Sequence, residues 1–284
     1  MPEVRESTVR VGGMAIFYRE AGAGEPILLL HGNPNSSYLW RRTHFVGTRP
    51  RLARFGRAVA PDHYGFGKSD KPADADYSVP GYVRYLEEFT AALGLDGLHL
   101  VVHDFGGPFG LGFALQHPQR ILSLVIMNTI FYPDYEWHRL AKIWRTPGEG
   151  ERWMAGWTRE RFAEGRLKSL AHPENLTPAD LAAYYEPIAD PAMRAAVLRL
   201  YRNTTPSDYP EWEEGLRRLN VPALIIWGRQ DPYIPVETAE RFHRDLPGSS
   251  LFILDDASHL VQEDQPEEVA RLIEAFYARR PWDT

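Results

Sequence analysis

The 284-residue sequence predicts an α/β protein: a mostly parallel sheet flanked by helices, with a helical insertion late in the chain. Three observations carry this reading. Short apolar runs of strand character alternate with amphipathic segments through residues 1–130 and again through 215–284. The run Leu98-His99-Leu100-Val101-Val102 breaks at His103-Asp104-Phe105-Gly106-Gly107, after which Phe109, Leu111, Phe113, Ala114 and Leu115 come at helical spacing. A buried strand, a sharp turn and a helix present one side chain at the edge of a sheet. Between Thr129 and about Glu214 the strand signals stop.

In chain order, Thr8–Val11 and Ala15–Arg19 alternate around Gly12-Gly13 and predict a hairpin. Pro26–Leu30 is a continuous apolar run, the mark of a buried strand. It leads into His31-Gly32-Asn33-Pro34, a rigid turn that sets Asn33 at the C-terminal edge of the sheet, where open α/β sheets bind ligands. Ala58–Pro61 predicts a short strand. Gly67-Lys68-Ser69 after it has the end of a phosphate-binding loop but lacks the glycine that loop needs at Asp62, and Lys71-Pro72 comes next instead of a helix, so it predicts a structural turn. Val79–Leu93 is an amphipathic helix ended by Gly94. Ile121–Met127, Ala223–Trp227 and Ser250–Leu254 complete eight strand segments. The insertion, residues 131–214, carries Trp137, Trp144, Trp153, Trp157 and Trp212 and helical patterns at Pro178–Tyr185 and Pro191–Arg202. It predicts a cap whose aromatics mostly pack on one another, with one or two facing the site.

Composition excludes several classes. The chain is 44% hydrophobic and 25% charged, as globular proteins are. A net charge of −6 and a pI near 5.9 give no footprint for nucleic acid or an anionic membrane. Without cysteine there are no disulfides and no thiolate metal sites. Residues 1–6 lack the apolar core of a signal peptide and no run reaches transmembrane length, so the expected location is cytoplasmic and the Asn-x-Ser/Thr triplets at Asn35 and Asn203 are chance.

The turn at Asp104 decides the chemistry. A carboxylate is already ionised at neutral pH and attacks carbon without a base. Asp is also a favoured helix N-cap, which is the competing reading. Two later strand ends tip the balance: Trp227-Gly228-Arg229-Gln230-Asp231 ends in an acid and Leu254-Asp255-Asp256-Ala257-Ser258-His259 in a histidine. Nucleophile, acid and histidine, each just past a strand, is the α/β-hydrolase order.

On these residues the chain resembles α/β-hydrolase fold enzymes over nearly its full length. His31-Gly32-Asn33-Pro34 with Ser36-Ser37-Tyr38-Leu39-Trp40-Arg41, and Val101-Val102-His103-Asp104, are most similar to haloalkane dehalogenases. The resemblance implies that Asp104 is the nucleophile, His259 the base and Asn33 a group that holds the departing halide. In that family the acid lies after the strand that precedes the cap or after the one beyond it; the first position here, Met127-Asn128-Thr129, has no carboxylate, so the resemblance assigns it to Asp231. The backbone N–H groups of Asn33 and Phe105 would form the oxyanion hole. The family usually has Trp directly after the nucleophile, and Phe105 has no N–H to offer. Some bacterial epoxide hydrolases resemble this chain in having Phe there, and they use a cap tyrosine in a Tyr-Arg context, as in Leu200-Tyr201-Arg202. Tyr201 is therefore either a packed helix residue or the acid that protonates an opening epoxide.

The expected activity is hydrolysis of a carbon–halogen bond, with epoxide hydrolysis as the alternative and a noncatalytic binding role as a third reading. A serine esterase would need Gly-x-Ser-x-Gly, which does not occur. Expected partners are a small apolar substrate, water and the halide product, with no metal or cofactor, and a monomer or weak homo-oligomer.

Overall fold

The computed structural model describes residues 3–45, 52–279 and 282, with residues 44 and 45 described by their backbone alone. Among these, eight strands form one sheet: β1 (Arg5–Val11), β2 (Met14–Ala21), β3 (Pro26–Leu30), β4 (Arg57–Pro61), β5 (Leu98–His103), β6 (Ile121–Met127), β7 (Ala223–Gly228) and β8 (Ser250–Leu254). Their spatial order is β1-β2-β4-β3-β5-β6-β7-β8. The pairs β1–β2 and β2–β4 are antiparallel and the rest are parallel. Every residue of β3 and β5 is buried, which is why both read as unbroken apolar runs. The hairpin strands reach farther than the strict alternation suggests, because pairing along β1 and β2 continues to Arg5 and Glu20.

Helix α1 (Val79–Ala92) starts on Ser78, whose hydroxyl accepts from the Gly81 N–H, and packs against α2 (Gly106–Gln116). α2 begins two residues before the apolar spacing that starts at Pro108. The reason is contact: a Cβ on Gly106 would lie 2.1 Å from the Leu30 carbonyl oxygen, so the chain can enter the helix beside β3 only without a side chain there.

Between β6 and β7 the chain passes through α3 (Arg139–Arg145), α4 (Glu149–Ala155), α5 (Arg159–Leu167), α6 (Pro178–Ile188), α7 (Pro191–Arg202) and α8 (Trp212–Arg218), with no strand among the described residues. α6 runs one turn beyond Tyr185, with Pro187 inside its last turn. Helix α9 (Glu237–Asp245) lies between β7 and β8, and α10 (Val261–Asp264) and α11 (Pro266–Ala278) come after β8.

A buried ion cluster joins the helical segment to the sheet. Arg41, just past β3, donates from Nη2 and Nε to Asp180 Oδ1 of α6 at 2.6 and 3.1 Å, and its Nη1 bonds Glu263 of α10. The Tyr38 hydroxyl also donates to Asp180, at 2.8 Å, and Tyr184 to Glu263. Arg42 pairs with the same two carboxylates, at 3.2 Å to Asp180 and 3.4 Å to Glu263, so two guanidiniums and two carboxylates neutralise one another away from water, the condition for keeping charge inside a protein.

Gly67-Lys68-Ser69 forms a structural turn. The Asp62 carboxylate accepts from the backbone N–H groups of Ser37 and Lys68, and the Ser69 hydroxyl bonds the Asp62 carbonyl. No described helix is long and apolar enough to cross a membrane.

Candidate active site

Asp104 lies between β5 and α2 with φ = 51°, a left-handed conformation that costs a non-glycine residue energy and is typical of a nucleophile at a strand-to-helix elbow. It does not cap the helix: the N-cap position belongs to Phe105 and carries no side-chain cap. Instead Asp104 Oδ1 accepts the Asn33 backbone N–H at 2.6 Å, and the adjacent Phe105 N–H also favours the ionised carboxylate. Gly32 makes the approach possible, since a Cβ there would come within 2.1 Å of Oδ1. The Thr129 hydroxyl and the Asn128 carbonyl tie down the backbone of Asp104.

His259 comes just after β8, with Nε2 3.6 Å from Asp104 Oδ2 and Nδ1 2.9 Å from Asp231 Oδ2. The ionised Asp231 accepts only, so Nδ1 carries the proton and Nε2 presents its lone pair toward Asp104. Asp231 is held from four sides. Oδ1 accepts from the N–H groups of Tyr233 (2.8 Å) and Ile234 (3.1 Å), and Oδ2 accepts from the Asn128 amide at 2.7 Å as well as from His259. Asn128 in turn accepts from the Gly228 N–H. The position whose lack of a carboxylate pointed to Asp231 therefore supplies a donor that fixes it.

The pKa shifts arise from these contacts. Burial raises Asp104 above the ordinary carboxylate value, opposed by His259 and the two backbone N–H groups. For Asp231 burial acts in the same sense but is overcome by His259, Asn128 and the backbone donors, and its pKa falls. Burial alone would lower His259; Asp231 and Asp104 outweigh it and raise the imidazole. Buried His103, whose Nε2 meets the His259 carbonyl at 2.9 Å, is pushed down to about 3 by burial and stays neutral.

These groups open on a cavity of about 610 Å³ whose floor is Asn33, Asp104, Phe105 and His259. Its walls come mainly from α3, α4, α5 and α7. Trp137, Trp144, Trp153 and Trp157 all line it, where one or two would suffice for function, while Trp212 packs on Phe131 and Tyr209 away from it. The lining indoles also pack on one another and on the segment's own core, Trp144 on Trp157 and Trp157 on Phe162.

Both polar atoms of the Asn33 side chain are buried without a hydrogen-bond partner among the described residues. A buried amide without a partner asks for an explanation, and at the floor of a cavity a bound group supplies one. Tyr201, in the last turn of α7, lies edge-on to Phe105 with ring centroids 5.0 Å apart. Burial pushes its hydroxyl well above the ordinary tyrosine value, with Asp104 and Tyr135 adding to the shift and the nearby Asn33 amide opposing it. It is an O–H donor at every ordinary pH. Trp137 stacks on Phe105 with ring centroids 6.1 Å apart.

Tyr135, Tyr233 and Arg166 also line the cavity, and the sequence reading does not single them out. Arg166 has a signal: it falls four residues after Phe162, on the same buried helix face, where a basic residue is unusual. Among the described residues no group of three or more His, Cys, Asp or Glu is placed to hold a metal ion.

Residues 25–266 match the model of the α/β-hydrolase fold family. Over 96% of its length the chain is 30% identical to a haloalkane dehalogenase of Mesorhizobium japonicum, covering 91% of that protein. It is 33% identical to a cis-3-alkyl-4-alkyloxetan-2-one decarboxylase of Xanthomonas campestris pv. campestris, over 95% of this chain and 94% of that one. The crystal structure of a haloalkane dehalogenase from Agrobacterium tumefaciens superposes with a TM-score of 0.85 at 29% identity, covering 98% of this chain and 97% of the other. With a strand-end carboxylate, histidine and acid on that shared frame, the chain belongs to the α/β-hydrolase fold family and is a hydrolase of the haloalkane dehalogenase type.

Proposed function

We propose that the protein hydrolyses carbon–halogen bonds of small organic substrates in two steps, giving an alcohol, halide and a proton. In the first, Asp104 Oδ2 attacks an sp³ carbon in line and the carbon–halogen electron pair leaves with the halide. In the second, His259 Nε2 takes a proton from water, and the water oxygen attacks the Cγ carbonyl of the Asp104 ester. Collapse of the tetrahedral intermediate expels the alkoxide, which leaves as the alcohol with the proton from His259.

The single observation that carries this reading is the division of labour on Asp104. Oδ1 is held by Asn33 N–H at 2.6 Å, while Oδ2 stands 3.6 Å from the imidazole, too far to be tied up by it. The held oxygen is the one that becomes the oxyanion in the second step, so the N–H groups of Asn33 and Phe105 serve as its hole; a single donor of this kind is typically worth about 10²–10³ in rate. The Asn33 amide, orphaned and buried, supports its role toward the leaving halide. The Tyr201 hydroxyl beside it supplies the second donor that Phe105 cannot. The helical segment 131–214 acts as a cap that keeps bulk water from the ester.

Tyr201 also favours a second reading. A protonated phenol beside the nucleophile would donate its proton to an epoxide oxygen as the ring opens, and the same ester chemistry would ensue. The deciding experiment is halide release from bromo- and chloroalkanes beside diol formation from styrene oxide, with Asp104→Asn as the blank. An oxetan-2-one belongs in the panel because one relative acts on that ring. Halide release lost in the variant supports the dehalogenase; diol without halide replaces it with an epoxide hydrolase; neither product from folded protein refutes both.

A further inference from the structure

Arg166 is 8% exposed and lines the cavity. Its hydrogen bond to the described residues runs from Nη2 to the Pro34 carbonyl at 3.0 Å. Its guanidinium carbon sits over the rings of Phe162 and Tyr184, at 5.3 and 4.6 Å. Ring faces offset part of the cost of a buried cation but accept none of its in-plane N–H groups. No carboxylate among the described residues lies within ion-pair distance. Glu263, whose charge acts on Arg166 without pairing with it, is taken by Arg41, Arg42 and Tyr184. The remaining donors of Arg166 are left to the cavity.

The place of this cation is informative. The Asn33 N–H is bonded to the nucleophile and the carbonyl of the next residue, Pro34, to Arg166, so carboxylate and guanidinium flank one dipeptide. The lining is also lopsided. Besides Arg166 it includes the cations Arg139, Arg161 and Lys168, against Asp104 and Glu164, and Glu164 is paired with Lys168 at 2.6 Å. Arg139, Arg161 and Lys168 are exposed, so on a chain of net charge −6 this excess sits at the cavity mouth, where it draws anions in from solution. Once Asp104 is alkylated its own negative charge is gone, and the cavity becomes more cationic still.

From this arrangement we infer that the preferred substrate carries a carboxylate, bound in the cavity by Arg166 while its reactive carbon meets Asp104. The inference rests on the displacement chemistry proposed above and narrows its substrate class. A carboxylate matches the planar fork of a single guanidinium, which binds it through two parallel hydrogen bonds.

The test has a binding arm and a turnover arm. In calorimetry at low chloride, hexanoate binds the wild-type protein at least tenfold more tightly than hexanamide, and the preference is lost in Arg166→Gln and reduced in Arg166→Lys. Equal binding of acid and amide by the wild type overturns the inference without any variant. So does a preference that survives in well-folded Arg166→Gln, or chloride that binds as well as hexanoate and is lost with it, which would make Arg166 a counter-charge for halide. In turnover, 3-bromopropionate or 6-bromohexanoate exceeds its methyl ester in kcat/KM by at least tenfold, and the ratio falls with salt and in Arg166→Gln. If 1-bromohexane is turned over and the acids gain nothing over their esters, the inference fails and the dehalogenase reading stands. If hexanoate binds through Arg166 but no bromide is released from any substrate, the dehalogenase reading fails and the carboxylate site stands.

Discussion

At the floor of the cavity each proposed catalytic group is held by partners from neighbouring strand ends, whereas the wall is built of aromatic rings and polar groups with few partners. Asp231 receives four hydrogen bonds, one of them from His259, which it holds facing Asp104. On the wall, Tyr201 and Arg166 bring a hydroxyl and a guanidinium into the same space with few bonds of their own. The contrast with Arg41 is instructive. That guanidinium is just as buried, but Asp180 and Glu263 neutralise it, so it fastens the helical segment to the sheet and has nothing left to offer a ligand. Saturated polar groups give rigidity; unsaturated ones beside a cavity give selection.

If the floor carries the chemistry, its variants must fail at a defined step. Asp104→Asn reduces halide release to the uncatalysed background, and His259→Phe, which keeps the nucleophile, accumulates the alkyl ester as a mass adduct on the intact protein. Absence of any adduct with every bromoalkane and epoxide would refute the covalent route. Asp231→Asn leaves the geometry near intact but removes the charge that orients and stabilises the imidazole, and kcat falls by about 10³–10⁴, read by steady-state kinetics.

The joint between floor and wall is tested through stability. Arg41→Met leaves Asp180 and Glu263 to the half-buried Arg42 alone among the described residues, and denaturant titration should show a loss of about 3 kcal/mol. A loss below about 1 kcal/mol would place the cluster among ion pairs that merely break even.

The wall should matter less for rate. Tyr201→Phe removes one donor to a developing anion, a change of about 1.5–3 kcal/mol or roughly tenfold to a hundredfold in halide release. A fall to background with epoxides, beside a mild effect with halides, would assign Tyr201 as an acid. The smallest effect is in pH dependence. His259 works as a base only when neutral, and its pKa is raised in the free enzyme by Asp231 and Asp104, so ester hydrolysis declines as pH falls through that raised value. Forming the ester neutralises Asp104 and withdraws part of the shift. The acid limb for hydrolysis of the trapped ester should therefore lie below the titration of His259 in the free protein, a difference that NMR and single-turnover rates can read.

Much of this frame is legible in the sequence because its signals are local. β3, β5 and β6 are buried almost throughout, so each reads as one apolar run, and the residues just past each run must lie at one edge of a parallel sheet. That rule puts Asp104 among the candidates, as the strand ends after β7 and β8 put Asp231 and His259, the resemblance assigns their roles, and the Gly-Asn-Pro turn points to Asn33. The turn at Asp104 reads as an elbow, but the sequence does not show that Oδ1 is held and Oδ2 left free, which depends on Asn33, 71 positions earlier in the chain. Asn128 looks like a missing acid and is the donor that holds the acid in place.

The helices between β6 and β7 are legible as helices and not as a wall. An apolar stripe on a short helix says that one face is covered, but a neighbouring helix and a substrate cavity cover it equally well. Hence the sequence predicts that Trp137, Trp144, Trp153 and Trp157 mainly pack on one another, and Arg166 is one basic residue among many in a charged segment. By itself the sequence determined the sheet, the order of its functional strand ends and the family they resemble, since burial and turn chemistry act over a few residues at a time. Only the tertiary structure decided which side chains share the cavity and which charges inside it go unpaired, because pairing joins residues far apart in the chain and has no period to read.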